Sequence, residues 1–228
     1  MKIPLSKRLL ACCDFVRPGD RVADVGTDHG YLGIWLLSNH IASSVIASDI
    51  VPGPLSAATR NAEKFGCADR MEFYLSDGVQ TIPRDFNTLV CAGMGADTMI
   101  GILSNAPWLC DGKYRLILQC QSKTVSLRRY LSEHGFTILK EIVLRDGHFL
   151  YTVIETVYSP SQMLTPGQWY ISPALLRSNC KELMAYYSWL LNGLEHIVAA
   201  KGSYADANEI CALAELRALS SDPALQPK

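Results

Sequence analysis

One pattern recurs through the first two thirds of this 228-residue chain and limits its fold more than any other feature. Short apolar runs alternate with stretches of helical spacing. The runs "RVADVG", "SSVIASDI", "MEFYLSDG", "FNTLVCAGMG" and "YRLILQCQ" read as five strands. The intervening "GYLGIWLLSN", "GPLSAATRNAEKFG", "ADTMIGILSNAPWL" and "TVSLRRYLSEHG" read as helices, the first helix of the chain being "LSKRLLACCDFV". Strands alternating with helices predict a parallel, doubly wound sheet with helices on both faces. The alternation then breaks. "FTILKEIVLRDGHFLYTVIETVYS" holds two β-rich runs joined by Asp146-Gly147, a strong hairpin signal.

After residue 158 the pattern changes. "SPSQMLTPGQWYISP" is punctuated by Pro and Gly and reads as a linker. A long helix over "ALLRSNCKELMAYYSWLLNGLEHIVAAK" carries apolar residues at Leu176, Leu183, Tyr187, Leu190, Leu194 and Ile197. A shorter one, "ADANEICALAELRALS", follows Gly202-Ser203. We therefore expect an α/β domain over 1–158, then a linker and an α-helical hairpin over 159–228. Hydrophobic residues make up 49%, enough for a sizeable core. The 8 cysteines show no C-x-x-C or Cys/His spacing, so we expect buried free thiols, no metal and a reducing, cytoplasmic compartment. No apolar run reaches the length of a membrane span. A net charge of −1 does not advertise nucleic acid, so any RNA-binding surface must be local. The oligomeric state is not legible, and a monomer is compatible with the sequence.

Ligands of open α/β sheets bind outside the carboxyl ends of the strands. Those ends are "DVGTDHG", "ASDI", "SDG", "CAGMGA" and "LQCQ". The first departs from the dinucleotide fingerprint, because Asp28 stands where its second Gly belongs. A side chain there blocks backbone approach to a pyrophosphate, and its charge repels one. A nicotinamide enzyme is disfavoured on that ground and by the closing hairpin. S-adenosylmethionine has no phosphate and carries an ammonium and a sulfonium, so the same carboxylate attracts it. Asp24 is placed to orient the loop or the ammonium, and Gly26, Thr27, His29, Gly30 and Tyr31 complete the turn. The plainer role for Asp28 is to cap the helix near Gly30. Replacing Asp28 with Ala is expected to abolish cofactor binding. Asp49 can accept both ribose hydroxyls, and Asp77 with Gly78 can meet the adenine amine. An antiparallel hairpin closing a doubly wound sheet is itself the signature of methyltransferases of this fold.

Ala92, Gly93 and Met94 follow the fourth strand, where a methyl acceptor would approach. They lack the Asn-Pro-Pro-Tyr type motif of many enzymes that methylate exocyclic amines, and Met94 offers a soft wall to a flat base. "LSKRL", "DVGTDHGYL", "SDG", "AGMGADTMIGIL", "RLILQCQ…LRRYLSEHGF" and "RDGHFLY" follow one another as in the tRNA (adenine-22-N1)-methyltransferases of the TrmK type. The chain resembles that family over roughly residues 5–158, and its last helices are similar to the family's coiled-coil domain. The resemblance implies methyl transfer from S-adenosylmethionine to N1 of an adenine in tRNA. Two departures stand out. Ala96 replaces the last Gly of the family's Gly-Met-Gly-Gly, and Gln119-Cys120-Gln121 replaces Gln-Pro-Asn.

N1 of adenine has an in-plane lone pair at neutral pH, so no strong base is required. The candidates for a catalytic part are His29, Met94 and Gln119. Asp97 reads as a helix N-cap. Candidate tRNA contacts are Lys7, Arg8, Lys123, Arg128, Arg129, Arg145, and the pair Arg177 and Lys181, four apart on the long helix. Tyr186, Tyr187 and Trp189 would either stack on bases or pack between helices. Two other readings stay open: a methyltransferase for a small molecule or protein, and a non-catalytic cofactor-binding module whose helices dock a partner.

Overall fold

The computed structural model describes residues 3–161 and 163–225. Five strands run parallel: β1 (Arg21–Val25), β2 (Ser44–Asp49), β3 (Met71–Leu75), β4 (Thr88–Met94) and β5 (Arg115–Cys120). β6 (Phe136–Asp146) and β7 (Phe149–Tyr158) form the expected closing hairpin. β7 inserts antiparallel beside β5, giving the order β3-β2-β1-β4-β5-β7-β6. The order reverses between β1 and β4, and a crevice opens there at the carboxyl ends.

The strands are apolar because both faces are covered. α1 (Lys7–Cys13), α2 (Tyr31–Ser38) and α3 (Pro52–Lys64) bury one face with Val22, Val45, Val90 and Ile117. α4 (Ala96–Ser104) and α5 (Thr124–Glu133) bury the other with Ala23, Ile46, Leu89 and Leu118. Alternate residues of one strand thus feed different cores, and all six positions of β5 are buried. Each such Val, Leu or Ile side chain contributes about 1.5–3 kcal/mol of burial free energy. Pro52 opens α3, where its missing N–H is no loss. At the far end from the crevice, Arg115 donates to Asp20, Glu155 and the Phe15 carbonyl, tying β5 to β7 and to the entrance of β1.

The segment after β7 differs from the sequence expectation. The linker contains α6 (Pro166–Tyr170), started by a Thr165–Gln168 capping box. The expected long helix is two: α7 (Pro173–Arg177) and α8 (Leu183–Lys201). Asn179 adopts φ 50°, and this left-handed residue ends the first helix. Arg177 and Lys181 therefore do not share a helical face. α8 pairs with α9 (Ala207–Ala218), capped by Asp206. Leu183, Leu190, Leu194, Leu213 and Leu216 fill their interface together with Val143 of β6.

Arg128 corrects a second expectation. It is not an RNA contact, because its side chain is fully buried. Its guanidinium donates to Glu141 of β6 at 2.7 Å, to the Trp169 and Tyr170 carbonyls, and to the Tyr186 hydroxyl. Tyr186 and Tyr187 are core residues, Tyr187 donating to the Leu216 carbonyl, whereas Trp189 stays 63% exposed. No helix among the described residues is long and apolar enough to cross a membrane. Among those residues no group of three or more His, Cys, Asp or Glu could hold a metal ion. Cys12, Cys13, Cys91 and Cys120 are buried free thiols, and burial pushes the Cys91 pKa up to about 12.

Candidate cofactor and acceptor site

Two cavities open at the carboxyl ends of the strands. One, of about 360 Å³, lies over β2, β3 and α4 and is lined by Asp49, Ser76, Asp77, Gly78, Thr98 and Ile102. The other, of about 310 Å³, lies over β1 and β4 and is lined by Arg8, Asp24, Thr27, Asp28, Gly93 and Gln121. Gly26 faces both. It sits at φ +72°, and the Met94 methyl occupies the space its Cβ would need. Met94 lines the first cavity and packs its methyl against Gly26, the residue common to both. No side chain but hydrogen fits at position 26 without moving it.

The first loop is held by its own carboxylates. Asp24 is buried, and Thr27 donates to it at 2.6 Å. Burial pushes the Asp24 pKa up to about 6, against the pull of the Thr27 hydroxyl and with a smaller push from Asp49. Asp28 adopts φ 52°, a region Asp tolerates better than most residues. Its backbone N–H donates to Asp49 at 3.2 Å, and Val51 N–H donates to the other Asp49 oxygen at 3.0 Å. Asp49 is thereby aimed into the crevice with lone pairs left for a ligand. The capping role for Asp28 does not hold: α2 is capped by Gly30, without a side-chain bond. His29 lies beside Asp28, Nε2 to Oδ1 3.7 Å, and its carbonyl accepts from Asn61.

The ends of β4 and β5 are laced together. The ladder shifts register between Ala92 and Met94. Gly93 N–H donates to Gln119 Oε1, Gln121 N–H to the Met94 carbonyl, and Ala96 N–H to the Ser122 carbonyl. Gln119 is fully buried and its amide nitrogen donates to the Cys120 carbonyl. It braces the bulge and does not reach a substrate, which removes it from the catalytic candidates. Asp97 is not the N-cap of α4, a position held by Gly95. It pairs instead with Lys123 at 2.6 Å, across the two loops.

The remaining cations are dispersed. Arg129 pairs with Glu133 and covers the Trp169 ring, and Arg145 pairs with Glu182. Lys7, Arg177 and Lys181 are exposed and form no ion pair among the described residues. Arg8 is different, since its guanidinium lies over the Tyr151 ring and lines the second cavity. Its Nε is buried without a hydrogen-bond partner among the described residues. Gln121, Ser76, Thr98 and Ile102 were not singled out from the sequence as ligand-facing. Gln121 carried a signal in the polar end of "LQCQ"; the others lie among ordinary turn and helix residues.

The crevice fits S-adenosylmethionine. Its first cavity offers acids to a nucleoside, and its second holds a buried carboxylate and a guanidinium whose Nε has no hydrogen-bond partner among the described residues, complementary to the two charges of an amino acid. A parallel sheet closed by an antiparallel strand, with this site at its switch point, defines a Rossmann-like methyltransferase. Residues 5–154 match the family described as "Methyltransferase domain", and the chain belongs to that family. It is 32% identical over 154 residues to the tRNA (adenine(22)-N(1))-methyltransferase of Bacillus subtilis strain 168. That alignment spans 67% of this chain and 65% of the relative, just under two thirds of its length. The crystal structure of the B. subtilis m1A22 tRNA methyltransferase TrmK superposes with a TM-score of 0.79 and 25% identity, covering 99% of this chain and 100% of that one. M. capricolum TrmK, solved with S-adenosyl-homocysteine, superposes with a TM-score of 0.73 and 25% identity, covering 94% and 93%.

Proposed function

We propose that this chain transfers a methyl group from S-adenosylmethionine to N1 of adenine 22 in tRNA, in the cytoplasm. The observation that carries the reading is the meeting of the two cavities at Gly26: a nucleoside-sized site adjoins a second cavity whose Asp24 and Arg8 suit the amino-acid end of the cofactor and whose Gly93 and Gln121 are left for an acceptor base. The likeness to the B. subtilis and M. capricolum proteins supports the acceptor.

When bound, S-adenosylmethionine supplies an electrophilic methyl group on a sulfonium. Asp49 would hold the ribose hydroxyls, and Asp77 the adenine amine. Asp24 and Asp28 would hold the ammonium, and Arg8 the carboxylate, which turns Arg8 from an outer RNA contact into a cofactor residue. Met94 and the Gly93 backbone would align the target base. The enzyme's task is to splay that base, desolvate N1 and aim its lone pair. His29 would organise the loop, with no proton to move at N1. Exposed Lys7, Arg145, Arg177 and Lys181 would meet phosphates, with Trp189 available for stacking.

The test is labelled S-adenosylmethionine with unmodified bulk tRNA, followed by nucleoside analysis. Label is expected in 1-methyladenosine. Label in another nucleoside, or cofactor binding without transfer, overturns the reading in favour of another acceptor or a binding module.

A further inference from the structure

Gln121 is an exposed polar side chain beside Gly93 in the second cavity. Its main chain is pinned by the 2.8 Å bond from its N–H to the Met94 carbonyl. Its side chain lines the cavity with Asp24, Gly93 and Arg8, with Nε2 3.5 Å from the position of a Cβ on Gly93. Among the described residues its carboxamide makes no hydrogen bond, in contrast to the fully engaged amide of Gln119. An amide beside the acceptor backbone presents one donor and one acceptor, side by side, to whatever enters.

We propose that Gln121 selects adenine by its Hoogsteen edge. Adenine offers two edges with a neighbouring donor and acceptor, N6 with N1 and N6 with N7. Methylation at N1 requires that nitrogen to be free, so only N6 and N7 remain for the amide. Gln121 Oε1 accepts from N6–H and Nε2 donates to N7, the bidentate geometry by which glutamine reads adenine elsewhere. Guanine presents acceptors at both O6 and N7, which leaves the amide oxygen facing an oxygen. The N6 contact also strengthens as positive charge spreads from methylated N1 onto the amine. Gln121 is thus a substrate-reading residue. The inference rests on the proposed N1 methylation.

The experiment uses full tRNA carrying 7-deazaadenosine at the single target position, which removes N7 and leaves N1 and N6. Single-turnover rates are measured for the wild type, Gln121→Ala and Gln121→Glu, with S-adenosylmethionine affinity measured by calorimetry as a fold control. For the wild type, 7-deaza substitution is expected to lower kcat/KM about 10- to 100-fold. Gln121→Ala is expected to lose a similar factor on unmodified tRNA and nothing more on the 7-deaza substrate. Gln121→Glu keeps the N6 acceptor and lacks the N7 donor, so it too becomes insensitive to 7-deaza substitution. A fall in cofactor affinity as large as the fall in rate would place Gln121 on the amino-acid end of S-adenosylmethionine, which shares this cavity, and overturns the proposal. A wild type indifferent to 7-deaza substitution, or a Gln121→Ala variant that keeps the wild-type sensitivity, overturns the proposal. A wild type that forms no 1-methyladenosine on unmodified tRNA overturns the functional reading first, and this one with it.

Discussion

Thr27 Oγ1 donates to Asp24 Oδ2 at 2.6 Å, and this hydroxyl is the hydrogen-bond partner of a carboxylate buried beneath the first loop. Burial holds the Asp24 pKa near 6, above its ordinary value. The native state therefore binds this proton more tightly than the unfolded chain does. The resulting stabilisation is complete below about pH 4 and is lost as pH rises through 6, a swing of about 3 kcal/mol. Asp24→Asn is expected to match the ligand-free wild type at pH 4 and to exceed it by up to that amount at pH 7. Denaturant unfolding across this range measures it, and parallel stability curves would refute it. The same variant should bind S-adenosylmethionine more weakly, because the ammonium then meets an uncharged amide.

Gly26→Ala tests the point where the two cavities meet. The substitution meets the Met94 methyl and forces Ala into left-handed backbone. The backbone alone costs about 1–2 kcal/mol. We expect cofactor affinity to fall more than tenfold, about 1.4 kcal/mol or more. Gly26→Ala with Met94→Ala removes the clash and should recover part of the stability. Calorimetry showing unchanged affinity in the single variant would mean that the cofactor does not cross this junction.

For Asp28 the structure changes the size of the expected effect. The side chain is 69% exposed, so its attraction for an ammonium is screened. Asp28→Asn tolerates the φ of 52° and should lower affinity by no more than about fivefold. Asp28→Ala adds backbone strain in the loop that orients Asp49, and should lose more. Titrations of both variants at two salt concentrations separate charge from strain. Complete loss of binding in Asp28→Asn would restore the stronger role inferred from sequence.

The strands, their order of use and the acids at their ends were legible because apolar runs and polar ends are local signals. Asp24, Asp49 and Asp77 needed only their positions at the carboxyl ends of strands. What stayed hidden depended on partners remote in sequence. Arg128 looked like a surface cation until Glu141 of β6 and the carbonyls of α6 closed around it. Lys123 and Asp97 became partners only when the β4 and β5 loops met. The long C-terminal helix failed at Asn179 because apolar spacing continues across a break that is set by one backbone angle. Gln119 and Gln121 are two residues apart on one strand end, and only the register shift of β4 decides which is a brace and which faces the cavity.

Arg128 offers the last test, because stability and RNA binding should part there. Its guanidinium joins α5, β6, two carbonyls of α6 and Tyr186 of α8, while Ser172 donates to the second Glu141 oxygen. Arg128→Met leaves Glu141 buried without its cation, which costs about 3–5 kcal/mol. Glu141→Leu on the same background removes the stranded charge and should recover a large part of that loss. Proteolysis near residues 159–165 should accelerate in the single variant and slow again in the double one. Below its melting temperature, Arg128→Met should leave the salt dependence of tRNA binding unchanged, since a buried guanidinium releases no counterion from a phosphate. A smaller salt slope in the folded variant would return Arg128 to the RNA-binding surface.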